Sequence, residues 1–494
     1  MANGETRVCG GCFGDAFIKR EIKRNGQKEV CEYCGRTRNT LRLEELANLF
    51  ETAFSTHYER TASEPSPFEQ AMGEIWWRDG QPVLDLVQEI GETTKEIAED
   101  IRELLESRHS TREDYEMSLE TEFDSDSCYE SRAVPGGDLD GEWRLFERSL
   151  KTESRYFSHT VMRTLDKIFD DLKEHRTYQG ASVIVDAGPN GTIKALYRAR
   201  VFQSEKSLFA ALERPELSIG PPPPVVAGAG RMNARGIPVF YGATHPEAAL
   251  AEVRPPVGSK VVVAQFDISR PLRLLDVASL QSLAVGGSPF DPMYLARKQK
   301  AGFLQGLSER ITMPVMPDDE ALEYIPTQVI AEYLASLDNP TLDGMIYPSV
   351  QAAEEMKNVV LFHKAAVVAK VKRPEDVKFS VRDYESYEGG PEIEYSVREE
   401  FDSEAPSLPR HEPTMDELIA EMMAEENSIV DQRVPALELS RENVWVHHIK
   451  RVAITSEAFR VTRMEWDKKT FREFEENQKR NWMSAKKPVD PIEF

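Results

Sequence analysis

The sequence predicts an α+β protein: a mixed strand-and-helix core preceded by a zinc-knuckle module and an all-helical domain. Three observations carry this. Cys9, Cys12, Cys31 and Cys34 form two CxxC pairs near the start. Apolar residues recur at helical spacing through much of residues 38–180. From residue 181 onward, short apolar runs read as strands and alternate with helical patterns, bounded by glycine and proline.

Length and charge set limits. A chain of 494 residues exceeds one core, so about two or three domains are expected. No run of 18 apolar residues occurs, which argues against a membrane-spanning helix. The start, MANGETRVCGG, lacks the apolar stretch of a secretory signal, so a cytoplasmic location is expected. A net charge of −24 argues against non-specific binding to nucleic acid or anionic membrane as the main task.

The cysteine pairs are separated by eighteen residues, the spacing of two thiolate knuckles around one tetrahedral zinc. Four thiolates close the coordination sphere, so the expected role is structural. Cys128 stands alone and reads as a free thiol.

Thr40–Tyr58 reads as a helix on Leu43, Leu46, Ala47, Phe50 and Phe54, and Val83–Leu105 as a second, with Gly91 its weak point. The acidic stretch Ser110–Gly141 reads as a solvated linker. Glu142–His175 reads as one helix lined by Trp143, Phe146, Leu150, Phe157, Val161, Leu165, Ile168 and Leu172. Strands are expected at Ala181–Asp186, Ala195–Val201, Ile237–Tyr241, Lys260–Asp267, Leu272–Asp276, Leu342–Gln351 and Asn358–Phe362, with a helix over Tyr324–Leu337. Lys372–Pro413 reads as loop-rich, followed by an amphipathic stripe of Met415, Leu418, Ile419, Met422 and Met423 behind a Thr414/Glu417 capping box. Asn443–Thr462 reads as strands and Trp466–Phe494 as a charged helix and tail. The expected divisions are residues 1–37, 38–180, 181–375, 376–430 and 431–494.

The chain is organised around Gly230–Pro255, GRMNARGIPVFYGATHPEAALAEVRP. Arg231 sits in a glycine-rich turn, and Tyr241 ends an apolar run. A helix follows, with Thr244 as N-cap and Glu247 closing a capping box. Glu252 falls between Ala248 and Ala249 on an otherwise apolar face. A carboxylate there is paired, to Arg254 or Arg231, or hydrogen-bonded, or functional.

This stretch resembles the RES domain in its Gly-Arg, Gly-x-x-x-x-Tyr and Ala-Leu-x-Glu elements. The resemblance implies an ADP-ribosyltransferase-like fold and an NAD-consuming toxin of a bacterial toxin–antitoxin pair. It assigns Arg198, with Arg200 as runner-up, to the pocket arginine of the first strand. It assigns Ser349, within Gly-x-x-aromatic-Pro-Ser, to the family serine. The helical segment occupies the place of a HEPN-like domain. NAD is then substrate, an antitoxin or regulatory protein the expected partner, and a homo-oligomer compatible with the pattern.

Cleaving the nicotinamide–ribose bond develops positive charge on the ribose. Glu252 suits that charge, Tyr241 suits stacking on nicotinamide, Arg198 and Arg231 suit the pyrophosphate, and Ser349 suits a ribose hydroxyl. The reaction expected is NAD hydrolysis or phosphorolysis, or ADP-ribosyl transfer to a macromolecule. A HEPN-type ribonuclease using Arg102 and His109 is a competing reading, as is a non-enzymatic interaction protein. Charged residues are frequent around Arg102, which is expected on a solvated helix face.

Overall fold

The N-terminal cysteines converge. In the computed structural model, which describes residues 4–66, 76–117, 119–132, 137–349, 356–374, 377–387, 390–401, 432–453 and 457–463, their four Sγ atoms lie within 4.8 Å of one another. Zinc–sulfur bonds of about 2.3 Å in a tetrahedron separate sulfurs by about 3.8 Å. The separations here are 3.5 Å for Cys9–Cys34, 3.7 Å for Cys12–Cys31 and 3.8 Å for Cys9–Cys12. The set is able to hold a metal ion such as zinc.

Around it lie a three-stranded antiparallel sheet (Arg7–Cys9, Gln27–Val30, Thr37–Arg42) and helix α1, Ala16–Asn25. Asp15 starts α1 by accepting from the amides of Phe17 and Ile18. Val8, Phe13, Ile18 and Ile22 of this module share one core with α2 (Leu43–His57), α3 (Val83–Gly91) and α4 (Lys95–His109). The expected division at residue 37 therefore cuts through a continuous core.

The single helix expected over Val83–Leu105 is two. Glu92 takes a left-handed conformation, φ 45°, between α3 and α4. The break releases backbone to the cysteine module: the Gly14 amide donates to the Glu92 carbonyl at 2.8 Å, and Thr93 Oγ1 donates to the Cys12 carbonyl at 2.9 Å. The acidic stretch is not purely linker either. Its strand Cys128–Ser131 pairs with Tyr58–Arg60 and Gln81–Pro82, and Phe123 and Tyr129 are buried.

The helix expected at Glu142–His175 is also two, α5 (Asp138–Thr152) and α6 (His159–Phe169). Phe157, expected on the apolar face, lies between them with φ 60° and fully exposed. Trp143, Phe146, Leu165 and Ile168 pack not on α2–α4 but on Val183, Leu275, Met345 and Val360 of the C-terminal sheet. The helical region thus divides between two cores and is not one domain over residues 38–180.

That sheet has eight strands: β1 (Ile184–Ala187), β2 (Ala195–Phe202), β3 (Phe240–Ala243), β4 (Lys260–Ile268), β5 (Leu272–Asp276), β6 (Gly344–Pro348), β7 (Lys357–Leu361) and β8 (Leu437–His448). Their spatial order is β8-β4-β2-β3-β7-β6-β5-β1. Neighbours are antiparallel except β5 and β6. Val261–Ala264 are all buried because both faces of β4 are covered, which explains the unbroken apolar run. Strand β3 begins at Phe240, later than expected, since the preceding Pro238 has no amide to give to a ladder. Helices α7 (Pro246–Glu252), α8 (Tyr294–Thr312) and α9 (Ile325–Ser336) complete the part that matters for the site.

Other expectations shift. Lys378–Arg382 pairs with Ser396–Glu400 and Glu385–Tyr387 with Gly390–Glu392, where loop was expected. The stripe over Met415–Met423 and the helix Trp466–Phe494 lie outside the described residues. Lys450–Phe494 is a second unit, whose described residues 450–453 and 457–463 carry no strand. No helix among the described residues is long and apolar enough to cross a membrane.

One clasp fixes the central stretch. Tyr241 Oη accepts from the Met232 amide at 2.9 Å and donates to Asn233 Oδ1 at 2.9 Å. Asn233 Nδ2 in turn donates to the carbonyls of Gly228 and Ile237, each at 2.9 Å. From α9, Thr327 Oγ1 donates to the Arg231 carbonyl at 2.6 Å and Gln328 Nε2 to the Gly230 carbonyl at 2.8 Å.

Two outcomes follow from this packing. Metal analysis of the purified chain should return about one zinc per chain; none, with the N-terminal residues still resisting protease, would overturn the assignment. A Cβ at Gly230 would sit 2.7 Å from Tyr241 Oη and 2.8 Å from Asn233 Oδ1. Gly230→Ala should therefore cost about 1–3 kcal/mol, read as a lowered Tm, and an unchanged Tm would show that the clasp yields freely.

Candidate functional site

Strands β2 and β3 share a single ladder pair, Tyr197 with Ala243. Beyond it the ladder ends, and a cavity of about 140 Å³ opens between Tyr197–Ala199 and Tyr241–Ala243. Ala249, Glu252 and Val253 from the α7 side line it, as do Tyr347 of β6 and Asn358 of β7. Small residues bring α7 close: Ala248 and Ala249 pack on Ala199, Val261 and Val263.

Glu252 is the last residue of α7 and is exposed, where the sequence suggested a place on a buried face. The helix is short, so its wheel position near Ala248 and Ala249 turns the carboxylate out to the cavity rim. A helix C-terminus presents carbonyl oxygens, and a cation is its usual neighbour. The carboxylate is instead held by Asn358, whose Nδ2 donates to Glu252 Oε2 at 3.0 Å. The expected capping box at the other end does not form. His245 is the N-cap, and Thr244 Oγ1 lies 2.9 Å from His245 Nδ1 and receives the Lys357 amide at 3.2 Å.

Arg198 lines the same cavity. Its guanidinium carbon lies 5.3 Å from the centre of the Phe240 ring, and its Nη1 is sealed from solvent without a partner. Burial, with Arg200 adding to it, pulls this guanidinium down to about 10. Arg200 is different: it is exposed, and its Nη1 donates to the Ser218 carbonyl at 2.7 Å.

Tyr241 gives the cavity its ring and gives its hydroxyl to the clasp. Burial pushes that phenol up to about 12. Burial also raises Tyr347, with Tyr241 and Glu252 close enough to add to the effect.

Arg231 and Ser349 do not line the cavity. Arg231, expected at a pyrophosphate, donates through Nη1 to the carbonyls of Ile311 (2.6 Å) and Met313 (2.8 Å) at the end of α8 and stacks on Tyr324 at 5.3 Å. It holds the turn to the helix end. Ser349 is buried just past β6, two residues from Tyr347, and its amide donates to the Met356 carbonyl at 3.1 Å. The sequence therefore brings Arg198, Tyr241 and Glu252 together and sets Arg231 and Ser349 around them.

Asn358 and Tyr347 line the cavity beyond the residues that the sequence singles out. The available signal was a carboxamide opening the otherwise apolar run NVVLF. A second cavity of about 570 Å³ also has Tyr197 in its lining. Lys194, His245 and Lys357 line it, and Lys357 Nζ lies 2.8 Å from the buried carboxylate of Asp276.

The ribonuclease pair is otherwise engaged. Arg102 is largely buried rather than solvated, and its Nη1 donates to Glu106 Oε2 (2.6 Å) and the Phe123 carbonyl (3.0 Å). His109 lies between Glu51 (2.8 Å) and Glu122 (3.4 Å).

Comparison with known families gives two matches. The RES domain model matches residues 195–382, and the HEPN/RES N-terminal domain 1 model matches residues 24–164. No curated protein and no solved structure matches the chain. The first match covers strands β2–β7 with the cavity, and the second covers α2–α5 and the first half of α6. The chain therefore belongs to the RES-domain proteins, in the long form that carries an N-terminal HEPN/RES domain.

Proposed function

We propose that this chain cleaves the nicotinamide–ribose bond of NAD and so acts as a toxin or defence effector by depleting it. RES domains carry a toxin-like, NAD-related function at the level of the family. The observation that carries the finer reading is the cavity between β2 and β3. It combines a carboxylate, an unpartnered buried guanidinium nitrogen and two tyrosines.

Each group meets a need of the reaction. The C1′–N bond breaks with its electron pair leaving on the nicotinamide nitrogen, and the ribose carbon passes through a cationic state. Glu252 favours that cation more than the neutral ribose of the ground state, so it acts on rate. Tyr241 and Tyr347 offer aromatic walls to the pyridine ring. Arg198 answers a phosphate oxygen with a charge that the fold has already stripped of water. Water or phosphate then takes the ribose carbon and gives up a proton. ADP-ribosyl transfer to a macromolecule uses the same groups with another acceptor.

This reading takes with it the ADP-ribosyltransferase-like fold that the family resemblance implies, and a structural zinc held by Cys9, Cys12, Cys31 and Cys34, whose clustering supports it. RES domains commonly pair with an antitoxin, and such a partner would hold the activity in check.

Purified chain incubated with NAD should release nicotinamide. Glu252→Gln keeps the shape and removes the charge, and should lower kcat by ~10²–10³ while NAD still binds. A folded Glu252→Gln that consumes NAD at the wild-type rate would overturn the reading.

Arg198→Ala should weaken NAD binding by about 1.5–3 kcal/mol, the worth of a hydrogen bond to a charged group. Since it removes a desolvated charge, thermal stability should hold or rise. Calorimetric titration checks the first and a melting curve the second; unchanged affinity would place the phosphates elsewhere.

A further inference from the structure

Asn358 is 3% exposed, and its two amide atoms face different fates. Nδ2 donates to Glu252 Oε2 at 3.0 Å, while Oδ1 is buried without a partner. The orientation follows from chemistry, because an ionised carboxylate only accepts and so selects the amide's N–H side. Turning the amide over would set oxygen against oxygen. The carbonyl is thereby held away from Glu252, in a residue that lines the cavity with Tyr241 and Tyr347. A buried carbonyl oxygen left unpaired costs stability and is an exception that asks for a missing donor. Arg198 Nη1, also lining the cavity's edge strand, is a donor but an unpartnered one as well, so these two groups do not satisfy each other.

We infer that Asn358 is a positioning and specificity-determining residue: its Nδ2 aims Glu252, and its Oδ1 accepts a hydrogen bond from the carboxamide N–H of the nicotinamide leaving group. The inference rests on the NAD-cleaving reading and names how that site chooses its substrate. Glu252, an acceptor, serves the ribose side of the scissile bond. Asn358, on the adjoining strand, serves the ring side. A carboxylate in place of the carboxamide would bring a negative oxygen against Oδ1 with Glu252 beside it. The site should therefore reject the nicotinic acid form of the dinucleotide, as sites built around a hydrogen bond reject analogues that lack the donor.

The test compares kcat/KM for NAD and for its nicotinic acid analogue in three chains. Wild type should prefer NAD by roughly 10² or more. Asn358→Ala should lose roughly 10²-fold in kcat on NAD as Glu252 loses its support, and its preference should collapse to within about tenfold. Asn358→Asp keeps an acceptor oxygen of the same size and loses the N–H donor. It should keep the preference for NAD while losing rate, with the optimum moved to higher pH because two adjacent carboxylates retain a proton. A fall in rate with the preference intact in Asn358→Ala would make the residue a support only and overturn the inference. So would loss of the preference in Asn358→Asp, which remains decisive if the alanine variant does not fold. Wild-type chain that leaves NAD intact would instead overturn the underlying reading, and this inference with it.

Discussion

The hydroxyl of Tyr241 is the point on which the site is built. One oxygen receives the Met232 amide and donates to Asn233, so the Gly230–Asn233 turn is tied to the end of the central strand. Because the turn is fixed, Arg231 reaches the carbonyls that end α8, and α9 reaches the turn through Thr327 and Gln328. The ring carrying that hydroxyl is anchored by those two bonds and forms one wall of the cavity. A tyrosine used this way works through its face, since its proton is already committed and burial holds it on the oxygen.

The cavity itself is under electrostatic tension. A guanidinium nitrogen and an amide oxygen are buried there without partners, and both lose water on folding. Packing elsewhere must offset this. The strands do so with a continuous apolar sheet, covered on one face by α5, α6, α8 and α9 and on the other by Leu208, Ala211, Leu212 and Ile219, which pack on Phe240 and Phe266. In the proposed reaction, binding recovers what folding forgoes, which is the usual bargain of a preorganised site.

Much of this was legible in the residues. The two cysteine pairs announced their cluster by spacing alone, and the strands from Ala195 to Leu361 followed their apolar runs to within a few residues. What was hidden depended on partners distant in sequence. Glu92 breaks a helix because Gly14 and Cys12 need its neighbourhood. The helices α5 and α6 look continuous with α2–α4 in pattern, yet their apolar faces meet Val183 and Val360. Arg231 and Arg198 are equally plausible phosphate ligands in sequence. Only the position of the α8 carbonyls separates them. Asn358 gave little sign, because a polar residue at a strand start is ordinarily solvated and this one is not.

Helix α8 has one further consequence. At its start, Tyr294 meets His57 edge-on at 5.0 Å, just after Phe290 has entered the core beside the cysteine module against Phe50 at 4.7 Å. At its other end, the carbonyls of Ile311 and Met313 seat Arg231. The helix is thus a strut of nineteen residues, about 28 Å long, pinned at both ends by contacts that have a direction. Adding or removing one residue would turn one end by about 100° relative to the other and shift it by about 1.5 Å. Its exposed positions are free to change in identity, but its length is a gauge between the two halves of the chain. Divergence in this segment is therefore constrained to substitutions, with insertions and deletions pushed out to the loops on either side.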